Sequence, residues 1–161
     1  MSSYRNGSCR GYFLLRPLVE EVVQSLSLRL AAQAIEMTID IPEREMVLAD
    51  REMLRRAVRN LMLNAAAAMP DGGSLVTTSA TTPDAVELEI ADSGPALSDF
   101  GRRHAFDTTG IDERGATGCT LAIVRHIAEI HQGTVTVANC PEGGVAVTLQ
   151  LPRPIAREAA A

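Results

Sequence analysis

Apolar residues recur at three- and four-residue intervals from Leu18 through Val22, Leu26 and Leu30, with Val19 and Val23 beside them. That spacing predicts an amphipathic helix, and Pro17 suits its first turn, where an N–H has no helical partner to lose. The period then shortens: Met37, Ile39 and Ile41 alternate with polar neighbours up to Pro42, the two-residue repeat of a strand. After the short apolar run Val47-Leu48-Ala49, Asp50 is placed to cap a second helix whose stripe is Met53, Leu54, Ala57, Val58 and Leu61. Pro70, Asp71, Gly72 and Gly73 end it. Ser74 to Thr81 and Ala85 to Ala91, the latter with Val86, Leu88 and Ile90 on one side, predict a hairpin.

From Asp92 to Thr117 apolar residues thin out and Gly, Asp, Thr and Arg take over. A stretch of that length without regular structure inside a compact domain is usually functional or mobile, so it is read as a lid. A third helix follows, carried by Leu121, Ile123, Val124, Ile127, Ala128 and Ile130 and ended by His131, Gln132 and Gly133. Two strands close the pattern, Thr134 to Ala138 and Val145 to Leu151. This order predicts an α+β fold, a two-layer sandwich with helices on one face of a mixed sheet. The domain is expected over residues 12–153. Residues 1–11 read as an arm or cloning remnant and 154–161 as a C-terminal tail.

Composition narrows the chemistry. With 161 residues, 46% of them apolar, one aliphatic core can form without disulfides. Cys9, Cys119 and Cys140 stand far apart with no C-x-x-C, which argues against a disulfide framework or a zinc knuckle and for a reducing cytoplasm. The longest apolar run, Leu61 to Met69, is interrupted by Asn64 and is far shorter than the roughly 20 residues of a membrane span. No apolar segment of a secretory signal follows Met1. The net charge is −5, which disfavours bulk nucleic-acid binding, and all 15 basic residues are Arg. The absence of Lys excludes a phosphate-loop lysine, a Schiff-base lysine and a lysine general base.

Three clusters could carry chemistry. Asn60 and Asn64, four residues apart, share a face of the second helix. Asn is a poor helix former, so the pair suggests a use for its amides, as Mg²⁺ ligand or hydrogen-bond partner of a phosphate; two solvated or locally bonded amides are the plainer alternative. Asp92, at a strand end before Ser93 and Gly94, offers an acceptor to an amine on a planar ligand, with a glycine that permits close approach. The same three residues also make an ordinary turn. Gly115-Ala116-Thr117-Gly118-Cys119 runs into the third helix, where exposed N–H groups favour a phosphate. His126 reads as a packed or surface residue, and His131 lies near a helix C-terminus, where the dipole favours a cation.

In this order the clusters resemble a family. Asp50 to Gly73, with Asn60, Asn64 and an Asn-Ala-x-x-Ala-Met-Pro ending, resembles the N box of sensor histidine kinases of the nitrogen-regulation type. Asp92-Ser93-Gly94 is similar to their G1 box, Phe106-Asp107-Thr108-Thr109 to the F box, and Gly115 to Leu121 to the G2 box. Gly143-Gly144 and a strand ending at Leu151-Pro152 match the family's ending, so the likeness covers about Phe13 to Pro152. It implies the Bergerat fold of GHKL ATPases, holding ATP between the N-box helix and a lid from Leu97 to Gly115. By position, Asn64 would ligate Mg²⁺, Asn60 would support the phosphates, Asp92 would accept from the adenine amine, and Gly94 would let adenine approach. Gly115, Ala116, Thr117, Gly118 and Cys119 would supply backbone donors to the phosphates; Arg102 and Arg103 are conceivable phosphate partners or solvated lid residues.

The resemblance also implies partners. A phosphoacceptor His sits on a separate dimerisation segment in this family, and His104, His126 and His131 lack its context; the phosphate then passes to a response regulator. Gyrase-type relatives carry a Glu four residues before the metal-binding Asn as a base for water. Asn60 cannot accept a proton, which favours phosphoryl transfer over hydrolysis. The resemblance implies no nucleic-acid or membrane contact by this domain, even where the parent kinase is membrane-anchored. Four positions depart from the family: Ala96 at the second G1 glycine, Ala116 and Thr120 at G2 glycines, and Val145 at a Thr near the adenine. These departures motivate a second reading, a degenerate Bergerat module that regulates a partner with weak or no ATP binding. A stand-alone serine kinase of the anti-sigma type shares the fold and is a third.

Overall fold

The computed structural model describes residues 9–107 and 118–153, the side chains of 118–120 excepted. Its elements are β1 (Arg10–Leu14), α1 (Leu15–Ser25), α2 (Ser27–Ala32), β2 (Ile35–Asp40), β3 (Met46–Asp50), α3 (Arg51–Ala67), β4 (Gly73–Thr81), β5 (Ala85–Asp92), α4 (Asp99–Arg103), α5 (Gly118–Ile130), β6 (Thr134–Asn139) and β7 (Val145–Pro152). Five strands form one sheet in the order β2-β4-β5-β7-β6. β2 and β4 run parallel, joined through β3 and α3, as a parallel pair requires a crossover. The other neighbours are antiparallel, so the sheet is mixed as expected.

Alternation along the strands makes two layers. Leu88 and Ile90 of β5 and Val147, Leu149 and Leu151 of β7 are buried, whereas Glu87, Glu89, Thr148 and Gln150 on the opposite face are partly exposed. Against the buried face lie Leu18, Val19 and Val22 of α1, Leu54, Val58 and Leu61 of α3, and Leu121, Val124 and Ile127 of α5. Each such side chain contributes roughly 1.5–3 kcal/mol by leaving water. α3 packs against α1, α5 and β5, so the helix bearing the two Asn residues is held from several sides. Across α1 and α3, Glu21 pairs with Arg51 at 2.9 Å and Arg55 at 3.1 Å. The Arg51 hydrogen bond, with help from Arg55, holds the Glu21 carboxyl below its ordinary range. Whatever this exposed pairing adds is therefore present at neutral pH and lost as pH falls through that lowered value.

Three elements differ from expectation. The helix predicted from Leu18 to Leu30 breaks at Leu26, whose N–H is shared between Val22 O and Val23 O; Leu26 and Leu30 stay buried, so the apolar period survives the break. Arg10 and Gly11, grouped with the N-terminal arm, belong to β1 and pair with Asp50 and Ala49 of β3, giving a two-stranded ribbon apart from the main sheet. Within the stretch expected to lack regular structure, Ser98 caps the short helix α4 by accepting from the Gly101 N–H at 3.0 Å.

The expected cap on α3 is present and has a second role. Asp50 Oδ1 accepts from the Met53 N–H at 3.1 Å, and Oδ2 accepts from the Cys9 N–H at 3.0 Å. The Asp50 N–H itself donates to His131 Nε2 at 3.0 Å, while His131 Nδ1 meets Ile127 O at 2.8 Å. Because Nε2 accepts, Nδ1 carries the ring proton. His131, only 3% exposed, is thus a donor and acceptor joining α5 to the start of α3, not the cation expected at a helix end. Arg10 fills that electrostatic place, hydrogen-bonding Ile130 O and, at 3.0 Å, Gln132 Oε1. His131→Leu is expected to lower unfolding stability by roughly 1–3 kcal/mol, since it orphans the Asp50 N–H. His126→Leu, on the exposed side of the same helix, is expected to stay within about 0.5 kcal/mol in the same denaturant titration.

Candidate functional site

α3 carries both candidate amides on one face, and their surroundings are unusual for Asn. Asn64 is only 4% exposed, in an alanine-rich turn of α3. The Nδ2 atoms of Asn60 and Asn64 are buried and have no hydrogen-bond partner. A buried amide left so costs roughly 1–3 kcal/mol. For these two nitrogens the solvated or locally bonded alternative does not hold. Among the described residues, Thr77 Oγ1 and Ser79 Oγ on β4 share that condition; nothing in the sequence marked them, because Thr and Ser are ordinary strand residues.

β5 ends at Asp92, 6% exposed. Its Oδ1 accepts from the Gly94 N–H at 2.9 Å and from the Val145 N–H at 3.3 Å, so two backbone amides aim the carboxylate. Val145 opens β7, and its contribution is made by the main chain; a Thr-to-Val difference leaves that bond in place. Gly144 before it has φ +91°, and a Cβ there would lie 1.9 Å from Asp92 O. The hairpin between β6 and β7 therefore rests directly on the Asp92 backbone, a close approach open only to glycine.

Beyond Asp92 the chain stays attached to the sheet. Ser93 N donates to Ser74 O at 3.1 Å, and Ser93 Oγ accepts from the Ser74 N–H at 2.9 Å. Gly94 is partly exposed, and Ala96 is exposed without a positive φ, so its Cβ is accommodated where the family has glycine. Leu97 is buried and held through both backbone groups by the Asn139 side chain, at 2.8 Å each. Asn139 carried no signal in the sequence, since its partner lies 42 residues away.

The remaining candidates divide. Gly118 and Cys119 form the start of α5, whereas Gly115, Ala116, Thr117 and the F-box residues Thr108 and Thr109 lie outside the described residues. Arg102 and Arg103 are exposed and engage Asp99 on their own helix, Arg102 through its carboxylate and Arg103 through its carbonyl at 3.3 Å. Among the described residues no group of three or more His, Cys, Asp or Glu could hold a metal, so an ion here would rely on an amide oxygen and on the ligand's own oxygens. No described helix is long and apolar enough to cross a membrane.

These features, a mixed sheet under three helices with unpartnered amides on one helix and a buried carboxylate at a strand end, match known proteins. The family of histidine kinase-, DNA gyrase B- and HSP90-like ATPases matches residues 49–155, and the chain belongs to that family. The signal transduction histidine-protein kinase BaeS of Escherichia coli (strain K12) is 33% identical over 144 residues, 86% of this chain and 31% of BaeS. The catalytic domain of histidine kinase ThkA has the same fold, with a TM-score of 0.80 at 25% identity over 89% of this chain and 97% of that one. The mycobacterial sensor histidine kinase MprB gives a TM-score of 0.78 at 26% identity, over 91% and 99%. Within the family the chain is an ATP-binding catalytic domain of the sensor-histidine-kinase type. It spans about a third of the length of BaeS.

Proposed function

We propose that this domain holds ATP with adenine at Asp92 and Gly94 and its phosphates against Asn60, Asn64 and the start of α5, and presents the γ-phosphate to a histidine on a separate segment. The observation that carries this reading is the pair of buried, unpartnered amide nitrogens on one face of α3, which packs against the strand ending in buried Asp92. Asp92 accepts from the adenine amine, a donor that its carboxylate suits and a guanine carbonyl would not supply. Gly94 lets the ring approach the backbone, with Ala96 beside it. Asn60 and Asn64 donate to phosphate oxygens, and the Asn64 carbonyl oxygen is the protein's ligand for Mg²⁺. When bound, the ion neutralises phosphate charge. Gly115, Ala116, Thr117, Gly118 and Cys119 add main-chain donors at the helix start.

Asn60 offers no carboxylate base for water, so the arrangement favours transfer to a better-placed nucleophile over hydrolysis. The domain's share is orientation and charge stabilisation, without a covalent intermediate on this chain. The acceptor is the histidine of the kinase's dimerisation domain, and the phosphate continues to a response regulator, in the cytoplasm where ATP is abundant. Two solved relatives of the same fold, both 22% identical, support the reading: full-length ShkA in complex with AMPPNP, and ThkA in complex with the response regulator TrrA. The likeness to sensor histidine kinases and their catalytic domains does not favour the degenerate-module reading; Ala96 is accommodated, while Ala116 and the side chain of Thr120 lie outside the described residues.

Calorimetric titration with the non-hydrolysable analogue AMPPNP, with and without Mg²⁺, tests the site. Binding in the micromolar to sub-millimolar range that tightens with Mg²⁺ is expected, and the Mg²⁺ effect is expected to vanish in Asn64→Ala. No binding at millimolar analogue would overturn the proposal.

A further inference from the structure

The loop from Ser93 to Ser98 carries Gly94 and leads from the buried carboxylate of Asp92 to the helix α4. Pro95 has no N–H to donate and Gly94 has no side chain to pack, so the loop has little with which to hold its own shape. Its near end is tied to β4 by the two Ser93–Ser74 bonds, and both ends are also tied to the β6–β7 hairpin. At the near end, Val145 N donates to Asp92 Oδ1. At the far end, the Asn139 amide accepts from the Leu97 N–H and donates to the Leu97 carbonyl, both at 2.8 Å.

Asn139 and Val145 face each other across the β6–β7 ladder. The hairpin that joins them is closed by Cys140 N to Gly144 O at 2.9 Å and Gly143 N to Cys140 O at 3.1 Å. A primary amide reproduces one peptide group's donor and acceptor, so Asn139 gives Leu97 the two bonds that a neighbouring strand would give it. We infer that Asn139 is a positioning residue for adenine recognition: with Val145 it holds the Asp92–Leu97 loop by both ends on the tip of the β6–β7 hairpin. It touches no nucleotide itself. Its effect is on the adenine end of the site, and the phosphate end, built on α3 and α5, is independent of it. The inference rests on the reading of Asp92 and Gly94 as the adenine site.

The test combines amide hydrogen exchange by NMR with titrations of AMPPNP and of inorganic triphosphate, on the full chain and on Asn139→Leu and Asn139→Asp. Asn139→Leu removes both bonds. Asn139→Asp keeps the acceptor for the Leu97 N–H but sets a carboxylate oxygen against the Leu97 carbonyl, so it too is expected to loosen Leu97. For Asn139→Leu, exchange at Leu97 is expected to accelerate and AMPPNP affinity to fall about tenfold, while triphosphate binding stays within twofold. Equal losses for AMPPNP and triphosphate would mark general damage and overturn the inference. Unchanged AMPPNP affinity in a variant whose Leu97 amide exchanges faster would overturn it as well, because the bonds would then exist without bearing on adenine. If the parent chain itself fails to bind AMPPNP, the underlying reading of the site falls, and the inference falls with it.

Discussion

Asp92→Asn is expected to weaken AMPPNP binding by roughly ten- to a hundredfold, the factor for losing a hydrogen bond to a charged acceptor. The variant keeps the shape of the side chain. Its remaining oxygen can still accept from the Gly94 and Val145 amides, which now hold Asp92 Oδ1 at 2.9 and 3.3 Å. What changes is the second polar atom, from acceptor to donor, and a donor opposes the adenine amine. Stability in a denaturant titration should therefore change little while affinity falls. Inorganic triphosphate, which has no amine, should bind parent and variant alike. A variant that bound AMPPNP as well as the parent would remove Asp92 from base recognition.

Gly144→Ala is expected to have the largest effect on the fold near the site, and Gly143→Ala supplies its comparison. Both glycines have a positive φ, +106° and +91°, so each substitution carries a similar backbone cost of about 1 kcal/mol. Space separates them. A Cβ at Gly143 meets nothing within 4 Å, whereas at Gly144 it would lie 1.9 Å from Asp92 O and 2.8 Å from its carbonyl carbon. Backbone cannot step aside as a flexible side chain does, so the hairpin must lift, taking the Val145 N–H from Asp92. Gly144→Ala should lose about 2–4 kcal/mol of stability and measurable AMPPNP affinity, and Gly143→Ala about 1 kcal/mol and no affinity. Equal losses in the two variants would contradict the packing described.

Legibility in the sequence followed the range of the interactions. α3, α5 and the β4–β5 and β6–β7 hairpins were predictable because their burial repeats along the chain, with Leu54, Val58 and Leu61 on one period and Leu88 and Ile90 on the other. β1 has no such repeat: four of its five residues are exposed, and it pairs with β3 along its whole length. α4 spans five residues and buries none of them, so the apolar pattern gave no sign of it. The break at Leu26 was hidden because α1 and α2 share one apolar period over one core. Asn60, Asn64 and Asp92 stood out locally as polar residues in apolar company. Asn139 and the role of Gly144 did not, because each acts on residues 42 or more positions away. His131 illustrates the same limit, since its partner Asp50 is 81 residues distant.

The most direct test of the account is an NMR titration of the isotopically labelled chain with AMPPNP and Mg²⁺, following amide shifts residue by residue. The account predicts saturable shifts at Asn60 to Asn64, at Asp92 to Leu97 and at Val145, with the β1–β3 ribbon unmoved. No shifts up to millimolar analogue, or shifts confined to that ribbon, would contradict it.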